Sequence, residues 1–170
     1  ARRVATAEQS NALLASTLAE AVAYPQAPGG AADLDRATTL AALDDVVHAL
    51  GADHHLGDDA AALSGGQRAR LAVARAVRRT DADLLLLDEP TAALDLENEA
   101  KLLDNILTDA KRRGLTVLVI AHSAAAMARC DAVSVLADGQ VLQTGPYDEL
   151  IQDPNSHLAK LLKETPQTDL

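Results

Sequence analysis

The sequence contains no tryptophan and no phenylalanine, and its aromatic residues amount to two tyrosines. Any core must therefore be assembled from Leu, Val, Ile and Ala, which dominate the 48% hydrophobic content. One cysteine, Cys130, excludes an internal disulfide and reads as a small core residue. Long apolar runs are missing too. The longest, Leu115 to Ala121 with one threonine inside, falls far short of the ~20 residues needed to cross a bilayer. Bases number 15 against 25 acids, for a net charge of -10, so a broad electrostatic grip on nucleic acid is not expected. The one candidate basic patch comprises Arg68, Arg70, Arg75, Arg78 and Arg79. Neither an initiator methionine nor a secretory signal opens the chain. The expectation is a soluble piece of something longer.

What is present is an ordered series of helical and extended patterns. Val4 to Ala7 reads as a short strand ending at Glu8-Gln9. Thr17 and Glu20 have capping-box spacing, which predicts a helix start. Residues 24–33 read as a loop by their Pro and Gly content. Residues 34–50 place Leu40, Leu43, Val46, Val47 and Leu50 at helical spacing, with Gly51 as C-cap. An irregular polar connection follows, in which His54-His55 has no surrounding ligand set and reads as solvated. A second helix is predicted over 67–79.

From residue 81 the character changes. "DLLLLDEP" is an apolar run ended by two acids and a proline, as a strand buried on both faces would read. A helix over 97–113 puts Leu102, Leu103, Ile106 and Leu107 inward and stops at Gly114, and "LTVLVIAH" reads as a second buried strand. A short helix around 124–129 and a hairpin about Asp138-Gly139 come next. "GPYDELIQD" and "SHLAKLLKE" close the chain as helices. The predicted class is α/β: the end of a core strand over 1–9, a helical subdomain over 10–80, a parallel-sheet core over 81–155, and a C-terminal helix and tail over 156–170.

Three clusters bear chemistry. Ligands collect at the carboxyl ends of strands in an open parallel sheet, so Asp88 is placed to hold Mg²⁺ and Glu89 to orient or deprotonate a water. The plainer alternative is an acidic turn. His122 ends the next strand, where it contacts a terminal phosphate or is an ordinary loop residue. Ser64-Gly65-Gly66-Gln67 precedes a helix, whose N-terminus favours an anion, with glycines that let a phosphate come close. A simple N-cap is the competing explanation.

In this order and at these intervals, "LSGGQ", "LLLLDEPTAALD" and "VLVIAH" resemble the nucleotide-binding domain of ATP-binding cassette (ABC) proteins. The resemblance implies a P-loop NTPase-like sheet core that binds ATP and Mg²⁺. Leu63, Ser64, Gly65, Gly66 and Gln67 match the signature motif, Asp88 the Walker B magnesium position and Glu89 the catalytic carboxylate. Asp95 matches the D-loop, with Ala92 where serine is usual, and His122 the switch histidine. Gln9 looks like the Q-loop glutamine, which in the family touches Mg²⁺ or water and faces the transmembrane partner. In that family two domains, identical or different, pair head to tail, and the signature helix of one caps the ATP of the other.

No stretch reads G-x-x-x-x-G-K-[ST], and all four lysines lie at or after position 101. The chain thus looks like the later part of such a domain, which implies that it is inactive alone. "LLASTLAEAVAY", and "GDDAAALSGGQ" with Asp58 in the x-loop, resemble exporters whose membrane and ATPase domains are fused. An exporter implies a transmembrane domain upstream, a place at the cytoplasmic face of the cell membrane, and no nucleic-acid partner. The alternatives are a regulatory half that lends its signature helix to a catalytic partner, and a soluble or importer-type ATPase. The signature-helix arginines are expected on its solvated face or at the partner's phosphates.

Overall fold

A computed structural model describes residues 3–7, 17–25, 29–57, 63–92 and 94–164. The chain divides into two compact units, Ala1–Ala121 and His122–Leu170.

The first unit is built on a parallel sheet of β1 (Val4–Ala7), β2 (Leu84–Asp88) and β3 (Thr116–Ile120), in the order β1-β2-β3. Asp88 is in register with Ile120. Its helices are α1 (Leu18–Ala23), α2 (Ala31–Leu40), α3 (Asp44–Leu50), α4 (Gly65–Val77) and α5 (Leu96–Arg113). Thr17 caps α1 through the expected box with Glu20. Gly114, at φ 66, ends α5 in the left-handed conformation that glycine adopts without steric cost. Ala5, Ala7, Leu85 and Leu87 bury one sheet face in a core shared with α1, α2, α4 and α5.

Three expectations need correction. The helix predicted over 34–50 is two helices, broken at Ala41–Leu43, with Ala42 at φ 51. Ala41, Ala42 and Leu43 are themselves buried, so the apolar spacing runs unbroken across the turn. Second, α2 begins inside the stretch read as loop, because residues 31–40 are helical up to Gly30. Third, β3 is not buried on both faces. Leu118 is 53% and Ile120 47% exposed. Helices pack on the face bearing Val117 and Val119, and the face with Val4, Leu118 and Ile120 is left open among the described residues.

Ion pairs tie the helices together. Asp109 on α5 is 8% exposed and takes Nη2 of Arg36 at 3.0 Å, Nη2 of Arg112 at 2.6 Å and Nη1 of Arg113 at 3.1 Å. Burial pushes its carboxyl up, but hydrogen bonds from Arg112 and Arg113 and the charge of Arg36 outweigh that and hold it below the ordinary range. Arg36 and Arg113 also donate to the carbonyls of Val77 and Arg79 at the end of α4. Asp109→Asn should cost about 2 kcal/mol at pH 7, because Arg36 and Arg113 lose the charged acceptor they share and keep only their carbonyls. A lowered carboxylate stabilises fully above its unfolded pKa of about 3.9 and loses that contribution as pH falls through the folded value. The wild-type advantage in urea unfolding should thus persist at pH 5 and shrink as the pH is lowered below about 3.9.

The second unit packs α6 (Ala124–Met127), a hairpin of β4 (Val133–Ala137) and β5 (Gln140–Gly145), α7 (Tyr147–Gln152) and α8 (His157–Glu164). Met127, Val135, Leu150 and Leu158 form its core. Asp138 (φ 50) and Gly139 (φ 74) make the expected tight turn, both in the left-handed region.

Candidate functional site

The signature string begins in the core. Leu63 is buried and anchors the segment, while Ser64 and Gly65 are exposed. Ser64 is the N-cap of α4: its Oγ accepts the Gln67 N–H at 3.2 Å, and Gln67 Oε1 accepts the Ser64 N–H at 2.8 Å. That box leaves the Ser64 hydroxyl hydrogen for another acceptor. The N–H groups of Gly65 and Gly66 have no acceptor within the helix. Gly65 has open space where a Cβ would stand, and its backbone is not in the left-handed region. Among the described residues nothing demands glycine there, although glycine weakens a helix by roughly 0.5–1 kcal/mol relative to alanine.

The arginines of α4 turn out to be engaged within the chain. Arg68 donates to the Leu63 carbonyl at 2.6 Å, and Arg78 to Asp33 at 2.6 Å and to the Ala23 carbonyl at 3.1 Å. Arg70, 6% exposed, donates to the Ala42 carbonyl and pairs with Asp45 at 2.9 Å. Arg75 donates to the Ala21 carbonyl at 2.9 Å and lies over the Tyr24 ring, and burial lowers its pKa. Arg70, Arg75 and Arg78 fasten α4 and its C-terminal end to α1, α2 and α3, whereas Arg68 turns back to Leu63 and stays exposed. The placement of these side chains on a solvated face is thereby corrected for Arg70 and Arg75, because their guanidiniums find internal carbonyls and a carboxylate.

Asp88 closes the central strand β2, half-buried, and Glu89 follows it. The Glu89 N–H donates to the Ile120 carbonyl at 3.0 Å, which extends the sheet by one bond. Glu89 has φ 46, a left-handed conformation that costs a side-chain-bearing residue roughly 1–2 kcal/mol. Pro90 is buried behind it, and Thr91 Oγ1 donates to Glu99 Oε1 at 3.1 Å. Asp95 is the N-cap of α5: Oδ1 accepts the Asn98 N–H at 2.8 Å and Oδ2 the Asn98 amide at 2.8 Å. The Asn98 backbone bond, then its side-chain bond, lower the Asp95 pKa. His122, the second residue after β3, is exposed in the second unit. Gln9 and Asp58 lie outside the described residues.

The described residues contain no group of three His, Cys, Asp or Glu side chains able to hold a metal. Asp88 alone fits a cation that arrives with phosphates, since Mg²⁺ is usually held by one or two carboxylates plus substrate oxygens. Sequence reading missed Glu99. An acid in a helix's first turn carries no mark of burial, and its 5% exposure and contact with Thr91 appear in the fold alone.

Residues 1–92, more than half of the 170, match the family model described as ABC transporter. The chain belongs to the ABC transporter family. An ATP-dependent lipid A-core flippase of Ralstonia nicotianae is 41% identical over 155 residues, covering 88% of this chain and 26% of the flippase. ABC transporter B family member 21 of Arabidopsis thaliana is 33% identical over 175 residues, 98% of this chain and 13% of that protein. A solved structure of a bacterial Atm1-family ABC exporter with ATP bound aligns at TM-score 0.85 and 28% identity, covering 94% of this chain and 28% of that one. The resemblance to an exporter-type ABC nucleotide-binding domain, and the α/β class with a parallel sheet, are borne out. This ABC chain spans about a quarter of the flippase's length, 26%. No helix among its described residues is long and apolar enough to cross a membrane.

Proposed function

We propose that the complete protein containing this chain hydrolyses ATP to drive export across a membrane, with the chain at the cytoplasmic face as part of its nucleotide-binding domain. The observation that carries this is the end of β2: an aspartate followed by a glutamate held left-handed at the carboxyl edge of a parallel sheet. Glu89 is assigned the attacking water. It orients that water and takes its proton as the water oxygen bonds to the γ-phosphorus and the bridging oxygen leaves with ADP. Asp88 would hold Mg²⁺, with Gln9 as a second contact directly or through water, and the ion supplies charge neutralisation between the phosphates when bound. His122 is assigned to the terminal phosphate, and Asp95, through its cap, to the loop that follows Glu89. Residues 10–80 and 81–155 are assigned as signature subdomain and sheet core.

Ser64, Gly65, Gly66 and Gln67 are assigned to the nucleotide of a second nucleotide-binding domain in a head-to-tail dimer, with transmembrane segments as the other partner. The open space at Gly65 supports this, because a missing Cβ that none of the described residues requires leaves room for something that approaches from outside. The phosphate cradle of a P-loop lysine and backbone is absent from these 170 residues. The isolated chain should therefore show negligible ATP turnover, and the complete protein, purified in detergent or vesicles, Mg²⁺-dependent turnover. A complete protein that binds ATP yet never hydrolyses it would reject the proposal in favour of a regulatory role. Turnover by the isolated chain equal to that of the complete protein would reject the need for an upstream cradle.

A further inference from the structure

We infer that Glu99 is a positioning residue for Glu89, acting through Thr91; this rests on the reading of Glu89 as the group that organises water. Glu99 is 5% exposed, one of two buried carboxylates among the described residues. The other, Asp109, is matched by three arginines. Among the contacts of Glu99 is the Thr91 hydroxyl, which donates to its Oε1 at 3.1 Å from the loop that carries Glu89. Burying a carboxyl is costly unless hydrogen bonds compensate it, so this contact fixes loop and helix to each other.

The loop is short and has few free torsions. Glu89 is held on the strand side by its N–H bond to the Ile120 carbonyl, 3.0 Å. On the other side stands Pro90, buried and with its φ fixed by the ring, and then Thr91. The Ala92 N–H closes back on the Glu89 carbonyl at 3.3 Å and the Leu94 N–H on that of Thr91 at 3.0 Å. A left-handed glutamate persists only where its surroundings over-determine it. The Ile120 carbonyl holds its N–H, and Glu99 holds the loop two residues further on through Thr91. Releasing Thr91 lets the Glu89 backbone relax toward the right-handed region and carries its carboxylate away from the water.

The test uses the complete protein, with steady-state ATP hydrolysis, equilibrium ATP binding and thermal midpoint measured for Thr91→Val, Thr91→Ser, Glu99→Ala and the double variant Thr91→Val/Glu99→Ala, beside Glu89→Gln. Thr91→Val keeps side-chain volume and loses only the donor. It should lower kcat by about 10–100-fold while the Kd for ATP stays within about twofold, and Thr91→Ser should restore kcat. The double variant should be no slower than Glu99→Ala alone, because both changes cut one link. A part that merely holds the fold would lower the midpoint and leave kcat of the folded fraction intact. Thr91→Val at wild-type kcat, or defects that multiply in the double variant, would overturn the inference while an inactive Glu89→Gln leaves the underlying reading standing. Normal turnover by Glu89→Gln would overturn both.

Discussion

Glu89→Gln in the complete protein should leave ATP binding within a few-fold of wild type and lower turnover by about 10²–10⁴-fold, the usual contribution of a positioned general base. The substitution is nearly isosteric, and the backbone bond from Glu89 to Ile120 does not involve the side chain. Stability should therefore change little, which separates loss of chemistry from loss of fold. The comparison that matters is kcat against Kd. Loss of both in parallel would place Glu89 in ATP binding, and near-normal turnover would return the Asp88-Glu89 pair to an acidic turn.

Gly65→Asp carries the second large effect, and here structure and function predict opposite signs. An aspartate in the first turn of α4 finds open space, gains about 0.3–1 kcal/mol from the helix dipole and removes a glycine. The folded domain should melt at the same temperature or slightly higher. At a phosphate, the same carboxylate sets like charges against each other, which costs several kcal/mol, or about tenfold for each 1.4 kcal/mol. ATP turnover should drop at least about 100-fold in a protein that is no less stable. Full activity with the raised midpoint would mean that Ser64-Gly65-Gly66-Gln67 is only a helix start.

Local chemistry made much of this legible beforehand. The Thr17–Glu20 box, the stop at Gly114 and the Asp138-Gly139 turn are each written in one or two side chains whose hydrogen bonds or permitted φ leave few options. The break at Ala41–Leu43 is not, because buried apolar residues continue through it and Ala42 gives no sign of its positive φ. The open face of β3 was hidden for a related reason: an apolar run states that both faces favour burial, not that both are covered. For the candidate site, the strand end and the helix cap could be read from motif and periodicity. The internal use of the α4 arginines and the burial of Glu99 depend on partners remote in sequence, such as Asp33 and Asp45.

The central claim, that one copy supplies Glu89 to its own nucleotide and Gly65 to its partner's, is tested most directly with mixed dimers of the complete protein. One copy carries Gly65→Asp and the other Glu89→Gln. Head-to-tail pairing leaves one site with both residues wild type, so this dimer should keep about half of wild-type turnover if the sites act independently. A dimer of wild type with the double variant Glu89→Gln/Gly65→Asp has a defect in each site and should be nearly inactive. The reverse outcome, an inactive first dimer and a half-active second one, would contradict the claim by placing Gly65 and Glu89 at the same subunit's nucleotide.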